Sequence, residues 1–173
     1  SSIPMQPDDV ILTTRNDYAS NQIQFLSLQA RLGVQVLRAP DQREGGVDVQ
    51  AMADLIRRHH PKLACVTHVP TNSGLVQDVA AIGSVCREQD VLYMVDACQS
   101  IGQMPVDVRE LQCDFLSASS RKYLRGPRGA GFLYPLLGGP VWDAATKAWE
   151  KTADGKEYLR IPEFEGAAEK WPG

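Results

Sequence analysis

The sequence predicts an α/β fold with three layers, in which a mostly parallel sheet lies between two layers of helices. Short β-branched or apolar runs alternate with helical patterns of about 10 to 15 residues, as in parallel strands joined by crossover helices. One of these runs, VLYMV at residues 91–95, is apolar throughout, which is typical of a strand covered on both faces. A length of 173 residues is sufficient for one domain with a buried core.

The first half of the chain contains two strand-helix units. Residues 10–14 (VILTT) predict strand one, and the turn-like RNDYASN leads into a helix that ends at Gly33. The apolar residues expected on one side of this helix are Ile23, Leu26, Leu28 and Leu32. Residues 34–40 (VQVLRAP) predict strand two, and residues 47–60 (VDVQAMADLIRRHH) predict an amphipathic helix ended by Pro61. The residues expected to face inward from that helix are Met52, Leu55 and Ile56.

The pattern continues as far as an aspartate and then changes. Strand three is predicted at residues 63–69 (LACVTHV), a helix at residues 79–89 (VAAIGSVCREQ), and strand four at VLYMV, which ends at Asp96. Two further strands, CDFLSAS and GAGFLY, follow, with only a brief helical turn (DVREL) before the first. The connection between them is too short for a parallel crossover, so GAGFLY is expected to run antiparallel to a neighbour.

Composition argues against several classes of function. The formal charge of −3 gives no reason to expect nucleic acid or another polyanion as a partner. No apolar run reaches the roughly 20 residues that span a bilayer, and the N-terminal residues lack the pattern of a signal peptide. We therefore expect a cytoplasmic protein without membrane contact. The four cysteines include no CxxC pair and have no histidines at zinc-finger spacing, so no metal is expected. Three of them adjoin apolar runs, where a reduced cysteine usually acts as a small buried hydrophobe.

An acid and an amine follow consecutive predicted strands. Asp96 ends strand four, and Lys122 stands just after CDFLSAS and before the glycine-rich GPRGAG. Ligands of open α/β sheets bind at the carboxyl ends of the strands, so these two groups could reach opposite ends of one small planar ligand. Taken singly, Asp96 is equally well explained as a turn former, and Lys122 as a solvated charge. Their combination favours a binding site.

Pyridoxal phosphate is a planar ligand that needs such a pair. It requires a lysine for a Schiff base, an acid that keeps its pyridine nitrogen protonated, and donors for its phosphate. Lys122 can supply the first and Asp96 the second. Gln99 can donate to the ring hydroxyl, and Ser119 and Arg121 can contact the phosphate.

Three stretches also resemble a known family: THVPTNSGLV, VDACQSIGQMPVDV and CDFLSASSRKYLRGPRGAGFLY. Over about residues 8–134 the chain resembles the class V aminotransferases of the fold-type I pyridoxal-phosphate enzymes. Their members include cysteine desulfurases, isopenicillin-N epimerase-like proteins and carbon-sulfur lyases. The resemblance implies that Lys122 is the Schiff-base lysine, that Asp96 pairs with the pyridine nitrogen, and that Gln99 donates to the ring hydroxyl. It also implies that Tyr18 takes the place of the histidine that stacks on the ring in desulfurases.

Other polar residues in or near these stretches each keep more than one interpretation. His68 is either a core histidine or a cofactor contact, and Thr71 and Asn72 form either an ordinary turn or the family's polar contact to the ring. Arg121 stands where desulfurases have a histidine, so a phosphate contact there would be changed in character. Arg125 and Arg128 are open to three interpretations: ligands of a phosphate or substrate, contacts with another subunit, or solvated charges.

The resemblance also divides the chain. Residues 1–135 are expected to form the core of the large, cofactor-binding domain. We expect that domain to be incomplete, because family members have an earlier segment with a phosphate-binding loop and a later small domain with a substrate-binding arginine. Residues 136–173 are expected to form a divergent tail with a short helix at DAATKAWEK (residues 143–151) and an irregular remainder.

The expected function is that of a pyridoxal-phosphate-dependent enzyme, or a fragment of one, that acts on an amino acid. Desulfuration, carbon-sulfur lysis, racemisation and transamination all remain open as the reaction. The alternative is a truncated homologue without turnover that serves as a folded or oligomeric binding module, so enzymatic activity itself stays open. We expect a homodimer or larger self-association, as in the family. A nucleotide-binding domain is disfavoured because no GxGxxG or Walker-type loop follows the first strand.

Overall fold

A computed structural model describes residues 3–135, 141–143 and 148–150 of the chain. The chain divides into two compact units, Ser1–Tyr134 and Pro135–Gly173. The elements up to residue 135 are β1 (Val10–Thr14), α1 (Ala19–Leu32), β2 (Gln35–Ala39), α2 (Val49–His59), β3 (Leu63–Thr67), α3 (Val79–Glu88), β4 (Leu92–Asp96), α4 (Val108–Leu111), β5 (Phe115–Ser119) and β6 (Gly131–Pro135).

These strands form one six-stranded sheet in the order β2-β1-β3-β4-β5-β6. The pairs β1–β2, β1–β3, β3–β4 and β4–β5 are parallel, and β6 runs antiparallel to the rest. The Ser120 N–H bonds to the Ala130 carbonyl oxygen at 3.1 Å where the chain turns from β5 back into β6. The α/β class, the parallel sheet and the late antiparallel strand are thus confirmed.

Local signals in the sequence end and begin the helices. Gly33 closes α1 in the left-handed conformation (φ 73°), and its N–H bonds to the Gln29 carbonyl oxygen at 3.0 Å. The Asp48 carboxylate caps α2 by accepting the Ala51 N–H at 2.9 Å, and Asp78 caps α3 in the same way.

One face of the sheet packs against α2 and α3. Met52 and Ile56 of α2 are fully buried there, and Leu55 is partly buried, so the inward face predicted for this helix is confirmed. Gly83 of α3 is a point of close approach, because a Cβ at this position would overlap the Leu111 carbonyl oxygen of α4. Cys65, Cys86 and Cys113 are reduced and buried, as expected.

The other face packs against α1 through Phe25 and partly through Leu28. The side predicted for α1 is wrong, since Ile23 is 67% exposed and Leu26 is 47% exposed. Two residues advance a helix by about 200°, so Leu26 and Leu28 lie on nearly opposite sides and cannot share a face. The prediction grouped apolar residues of α1 without regard to their angular positions around the helix axis, so it named the wrong buried face.

The second unit contains two short strands, β7 (Val141–Asp143) and β8 (Ala148–Glu150), which pair antiparallel with Trp142 opposite Trp149. The helix predicted at residues 143–151 is therefore wrong where the structure describes this segment. A segment of nine residues makes a marginal helix by itself, whereas valine and tryptophan favour strands. The remaining residues predicted to form an irregular tail lie outside the described residues. Across the described part of the chain, no helix has the length and apolar character needed to cross a membrane.

Candidate functional site

The candidate site lies at the carboxyl ends of β1, β3, β4 and β5. Asp96, the last residue of β4, is 5% exposed. Its Oδ2 accepts a hydrogen bond from Asn21 Nδ2 of α1 at 3.1 Å, and its Oδ1 accepts one from the Cys98 N–H at 2.9 Å. A buried carboxylate needs such donors to remain charged, and these two fix its orientation.

The Lys122 amine lies over the face of the Tyr18 ring, 5.4 Å from the ring centroid. Lys122 follows β5 and Tyr18 begins α1, so the contact joins the two sides of the site. At this distance the ring electrons attract the ammonium group. The structure thus brings together an amine and an aromatic ring that stand far apart in the sequence.

The loop that carries Lys122 is closed by its own hydrogen bonds. The Arg125 N–H bonds to the Lys122 carbonyl oxygen at 3.0 Å, and the Gly126 N–H bonds to the Ser120 carbonyl oxygen at 2.8 Å. The Ser120 hydroxyl donates to the Pro127 carbonyl oxygen at 2.6 Å. These bonds hold the backbone on both sides of Lys122.

A second loop, the one after Asp96, packs directly on the Lys122 loop. Gly102 has a φ of +89°, and a Cβ there would lie 2.7 Å from the carbonyl carbon of Tyr123. Only glycine fits this approach without displacing backbone. The glycine in DACQSIGQ therefore lets the stretch of the acid and the stretch of the amine meet.

The Ser119 hydroxyl, at the end of β5, can still form hydrogen bonds with a ligand. Ser119 Oγ is buried and has no hydrogen bond of normal geometry with another described residue. It lies near the Cys98 thiol, whose pKa is raised by burial and by Asp96 and lowered by the Ser119 contact. Contacts with sulfur are weak, so the hydroxyl remains available to a ligand. A buried acid, an amine, an aromatic face and a free hydroxyl together fit the planar, phosphorylated cofactor that the sequence predicts.

The other residues of the sequence prediction lie around this group with fewer contacts. Gln99 is half-buried in the loop after Asp96, Arg121 is exposed beside Lys122, and Thr71 is exposed in the loop after β3. Asn72 Nδ2 donates to Asn16 Oδ1 at 3.2 Å, which ties the β3 loop to the turn before Tyr18. The Lys122 loop also carries the exposed side chains of Arg125 and Arg128, and neither forms an ion pair with another described residue.

His68 is a buried candidate that follows β3 and borders a second depression. Its backbone N–H bonds to the Asp96 carbonyl oxygen at 2.9 Å, and the residue borders an open depression of about 360 Å³ together with Val79 and Leu111. Side chains at successive strand positions point to opposite faces of a sheet, and the preceding Thr67 faces the site. Burial lowers the pKa of His68, and its Nδ1 has no partner within the described residues.

Sequence reasoning missed Asp17, which lies one residue before Tyr18 and is 8% exposed. Its carboxylate accepts the Thr67 N–H and the Thr67 hydroxyl, each at 2.8 Å, together with the Thr13 hydroxyl and, at 3.5 Å, the Thr14 N–H. Burial raises the pKa of Asp17 to about 6; hydrogen bonds from Thr67 and Thr14 oppose the rise, and the charge of Asp96 adds to it.

Local sequence gave little warning of this role. An aspartate in RNDYASN reads as an ordinary turn or capping residue, and its described donors come from the end of β1 and from a strand fifty residues away. Asn21, the donor to Asp96, was also missed, because it stands in the same turn-like segment and reaches across 75 residues.

An open α/β sheet that carries an acid, an amine and an aromatic ring at its strand ends is typical of domains that bind a ligand there. Comparison with known families makes this assignment narrower. The family model for class-V aminotransferases matches residues 1–159, and the chain belongs to this family. The match passes the limit near residue 134 that the sequence stretches suggested, so it includes part of the expected divergent tail.

The chain is similar to cysteine desulfurases in particular. It is 39% identical over 104 residues to cysteine desulfurase IscS from Escherichia coli O139:H28 and 40% identical over 104 residues to that of Histophilus somni. Each alignment includes 60% of this chain and 25% of the relative. The aligned part thus spans about a quarter of the length of these relatives.

Solved structures show the same relationship for the fold. The cysteine desulfurase from Thermococcus onnurineus NA1 superposes with a TM-score of 0.72 at 28% identity, over 86% of this chain and 40% of that one. The cysteine desulfurase CsdA from Escherichia coli gives a TM-score of 0.72 at 25% identity, over 91% and 40%. The predicted fold of pyridoxal-phosphate-dependent transferases is confirmed by these neighbours.

Proposed function

We propose that this chain is the lysine-bearing part of a pyridoxal-phosphate-dependent enzyme that acts on the amino group of an amino acid. The observation that carries the proposal is the meeting of Lys122, Tyr18 and the buried Asp96 at the carboxyl ends of the strands. Membership of the class-V aminotransferase family supports it, as does the similarity to cysteine desulfurases.

Each residue of this group has a definite task in the proposal. Bound pyridoxal phosphate supplies an electron-accepting ring that stabilises negative charge at the α-carbon of an amino acid. Lys122 would hold the cofactor through its amine and would move a proton at that α-carbon once the amine is free. Asp96, fixed by Asn21 and the Cys98 N–H, keeps the ring nitrogen protonated. Tyr18 covers one face of the ring.

Polar groups at the edge of the site complete the set. Ser119, with its spare hydroxyl, and the exposed Arg121 are proposed for the phosphate, because a hydroxyl and a guanidinium both donate to phosphate oxygens. Gln99 is proposed for the ring hydroxyl and Thr71 for a further polar contact. We leave His68 outside this group, because this residue borders the depression beside α3.

We also propose self-association, since large apolar side chains are exposed on and beside the edge strand β6. They are Tyr123, Leu124, Phe132 and Leu133. An unpaired strand edge with exposed apolar residues favours contact with another chain. A cytoplasmic location remains a prediction from the sequence.

The decisive experiment is to add pyridoxal phosphate to the protein and to record absorbance near the visible edge before and after borohydride treatment. Peptide mass spectrometry then locates the reduced adduct. We expect the adduct on Lys122, and we expect no adduct there in the Lys122→Ala variant. Lys122→Arg is the matched control, because it keeps the positive charge over Tyr18 and cannot be trapped in this way.

Two results would decide against parts of the proposal. An adduct spread over surface lysines, with Lys122 not preferred, would refute the cofactor site. An adduct on Lys122 whose absorbance no amino acid changes would favour the alternative of a binding module without turnover. Asp96→Asn should weaken cofactor binding without removing the lysine, which separates the two roles.

A further inference from the structure

Asp17 is buried at the point where the turn after β1 meets the end of β3. Its Oδ1 accepts two hydrogen bonds from Thr67, one from the backbone N–H and one from the hydroxyl, each at 2.8 Å. Its Oδ2 accepts the Thr13 hydroxyl and, at 3.5 Å, the Thr14 N–H. One carboxylate thus joins two neighbouring strands on the side of the sheet that faces the site.

The Thr67 hydroxyl extends this connection to the next residue of the turn. It donates to Asp17 and accepts the backbone N–H of Tyr18 at 3.4 Å. The Tyr18 ring in turn lies under the Lys122 amine. A continuous series of contacts therefore runs from Asp17 through Thr67 and Tyr18 to Lys122.

We propose that Asp17 is a positioning residue for Lys122: its buried carboxylate holds Thr67 and the turn after β1 so that the Tyr18 ring stays over the lysine amine. The purpose of this arrangement, to present the amine and the ring to a cofactor, rests on the proposed function. The geometry of the contact does not.

The hydrogen-bond donors at this position suit the two acceptor oxygens of a carboxylate better than an amide of the same shape. The carboxylate offers acceptors only, and every described partner of Asp17 is a donor. An asparagine would keep one acceptor and turn a donating NH₂ group toward at least one of these donors. Such a mismatch in a buried site loosens the turn.

The titratable groups around Asp17 come from two strands, β3 and β4. Asp96 at the end of β4 is the one whose charge raises the pKa of Asp17. Cys65 of β3 and Tyr93 of β4 are buried, with pKa values raised well above the ordinary range, so they are neutral at physiological pH. At this end of α1, Asn21 and Gln22 are neutral amides that donate to Asp96 and to Thr13.

The proposal can be tested without a cofactor by pulse acetylation of lysines, read by peptide mass spectrometry. Tyr18→Leu removes the ring and sets the reference for an uncovered Lys122. We expect Tyr18→Leu to speed acetylation of Lys122 about two- to fivefold, the factor that corresponds to a surface cation–π contact. Asp17→Asn and the near-isosteric Thr67→Val should each give the same increase.

A second lysine supplies the matched control. Lys62 Nζ pairs with Asp9 Oδ2 at 2.7 Å, just before β3 and β1 begin and hence at the opposite end of the sheet. Asp9→Asn should speed acetylation of Lys62 and leave the rate at Lys122 unchanged. Asp17→Asn should speed acetylation of Lys122 and leave the rate at Lys62 unchanged. A rise at both lysines in Asp17→Asn would indicate general loosening and would count against a positioning role.

The remaining outcomes also decide the matter. The double variant Asp17→Asn/Tyr18→Leu should match Tyr18→Leu alone, and multiplied effects would overturn the proposal. The proposal would also be overturned if Tyr18→Leu raised the acetylation rate of Lys122 while Thr67→Val and Asp17→Asn left it unchanged. It would be overturned as well if Tyr18→Leu had no effect on that rate. If Asp17→Asn does not fold, Thr67→Val decides alone. Failure of pyridoxal phosphate to label Lys122 would refute the proposed function and leave these acetylation results standing.

Discussion

Replacing Asp17 by asparagine should change how the stability of the protein depends on pH. Two effects compete at this carboxyl group: burial disfavours its charge, and hydrogen bonds from Thr67 and Thr14 favour it. Burial wins, and the pKa rises from an ordinary value of 3.8 to about 6. The group therefore binds its proton more tightly in the folded protein than in the unfolded chain.

The sign and size of the effect follow from linkage. The stabilisation by the bound proton is fully present below about pH 4 and is lost as the pH rises through about 6. The difference of about two pKa units, at about 1.4 kcal/mol each, amounts to about 3 kcal/mol. Above that range Asp17 keeps the folded protein about 3 kcal/mol less stable than it is at low pH.

Urea denaturation of the wild type and of Asp17→Asn between pH 4 and pH 8 measures this quantity. The lost acceptor in the variant gives a constant offset, so the slope of the difference between the two curves carries the result. We expect the free energy of unfolding of the wild type to fall relative to the variant across this range. Taking the difference also removes the contributions of groups such as His68 and Asp114, which titrate in both proteins.

A flat difference curve would mean that Asp17 is not desolvated as the structure implies. A difference that grows in the opposite direction would mean that the hydrogen bonds from Thr67 and Thr14 outweigh burial and lower the pKa. Either result would refute the reasoning. Asp9→Asn is a useful contrast, because Lys62 holds the pKa of that half-buried carboxyl below its ordinary value, so any dependence must have the opposite sign.

Three further predictions concern other parts of the molecule. Gly83→Ala should destabilise the protein by about 1–3 kcal/mol in urea denaturation, because its new Cβ meets the Leu111 carbonyl oxygen; an unchanged midpoint would contradict that close approach. Iodoacetamide should modify Cys98 slowly and modify it faster in Asp96→Asn, since burial and Asp96 both raise the pKa of the thiol; equal rates, read by mass spectrometry, would show that Asp96 does not act on it. Light scattering should report a dimer or larger species, and a clean monomer would contradict the proposed self-association.

Local patterns were enough to predict most of the fold. The alternation of apolar runs with helical patterns gave β1 to β5, and the short connection before GAGFLY gave the antiparallel β6. The stripe of α1 was predicted wrongly because helical angles, not merely apolar content, decide which residues face the sheet. The prediction of a short helix at residues 143–151 was wrong, because so short a segment takes its conformation from the strand with which it pairs. Sequence propensity does not reveal that partner.

The site divides in the same way. The placement of Asp96 and Lys122 at neighbouring strand ends could be predicted, because Asp96 ends a predicted strand and Lys122 follows the next one, just before the glycine-rich GPRGAG. Asp17 and Asn21 were not, because their importance comes from partners such as Thr67 and Asp96 that lie fifty or more residues away. Residues that touch a ligand can stand in recognisable motifs, whereas residues that position them are defined by the fold.

A residue that positions others, and does not itself touch a ligand, can also set how the site responds to pH. From the sequence resemblance, Tyr18 and Arg121 are expected at positions where desulfurases carry histidines, the side chain that most often titrates near neutral pH. Arginine stays charged at every physiological pH, so it cannot respond as a histidine does. Within the described part of the site, the group with a pKa raised toward neutrality is Asp17, at about 6. Because Asp17 acts on Lys122 through Thr67 and Tyr18, a change in the Lys122 acetylation rate centred near pH 6 that disappears in Asp17→Asn would place the response in the positioning residue.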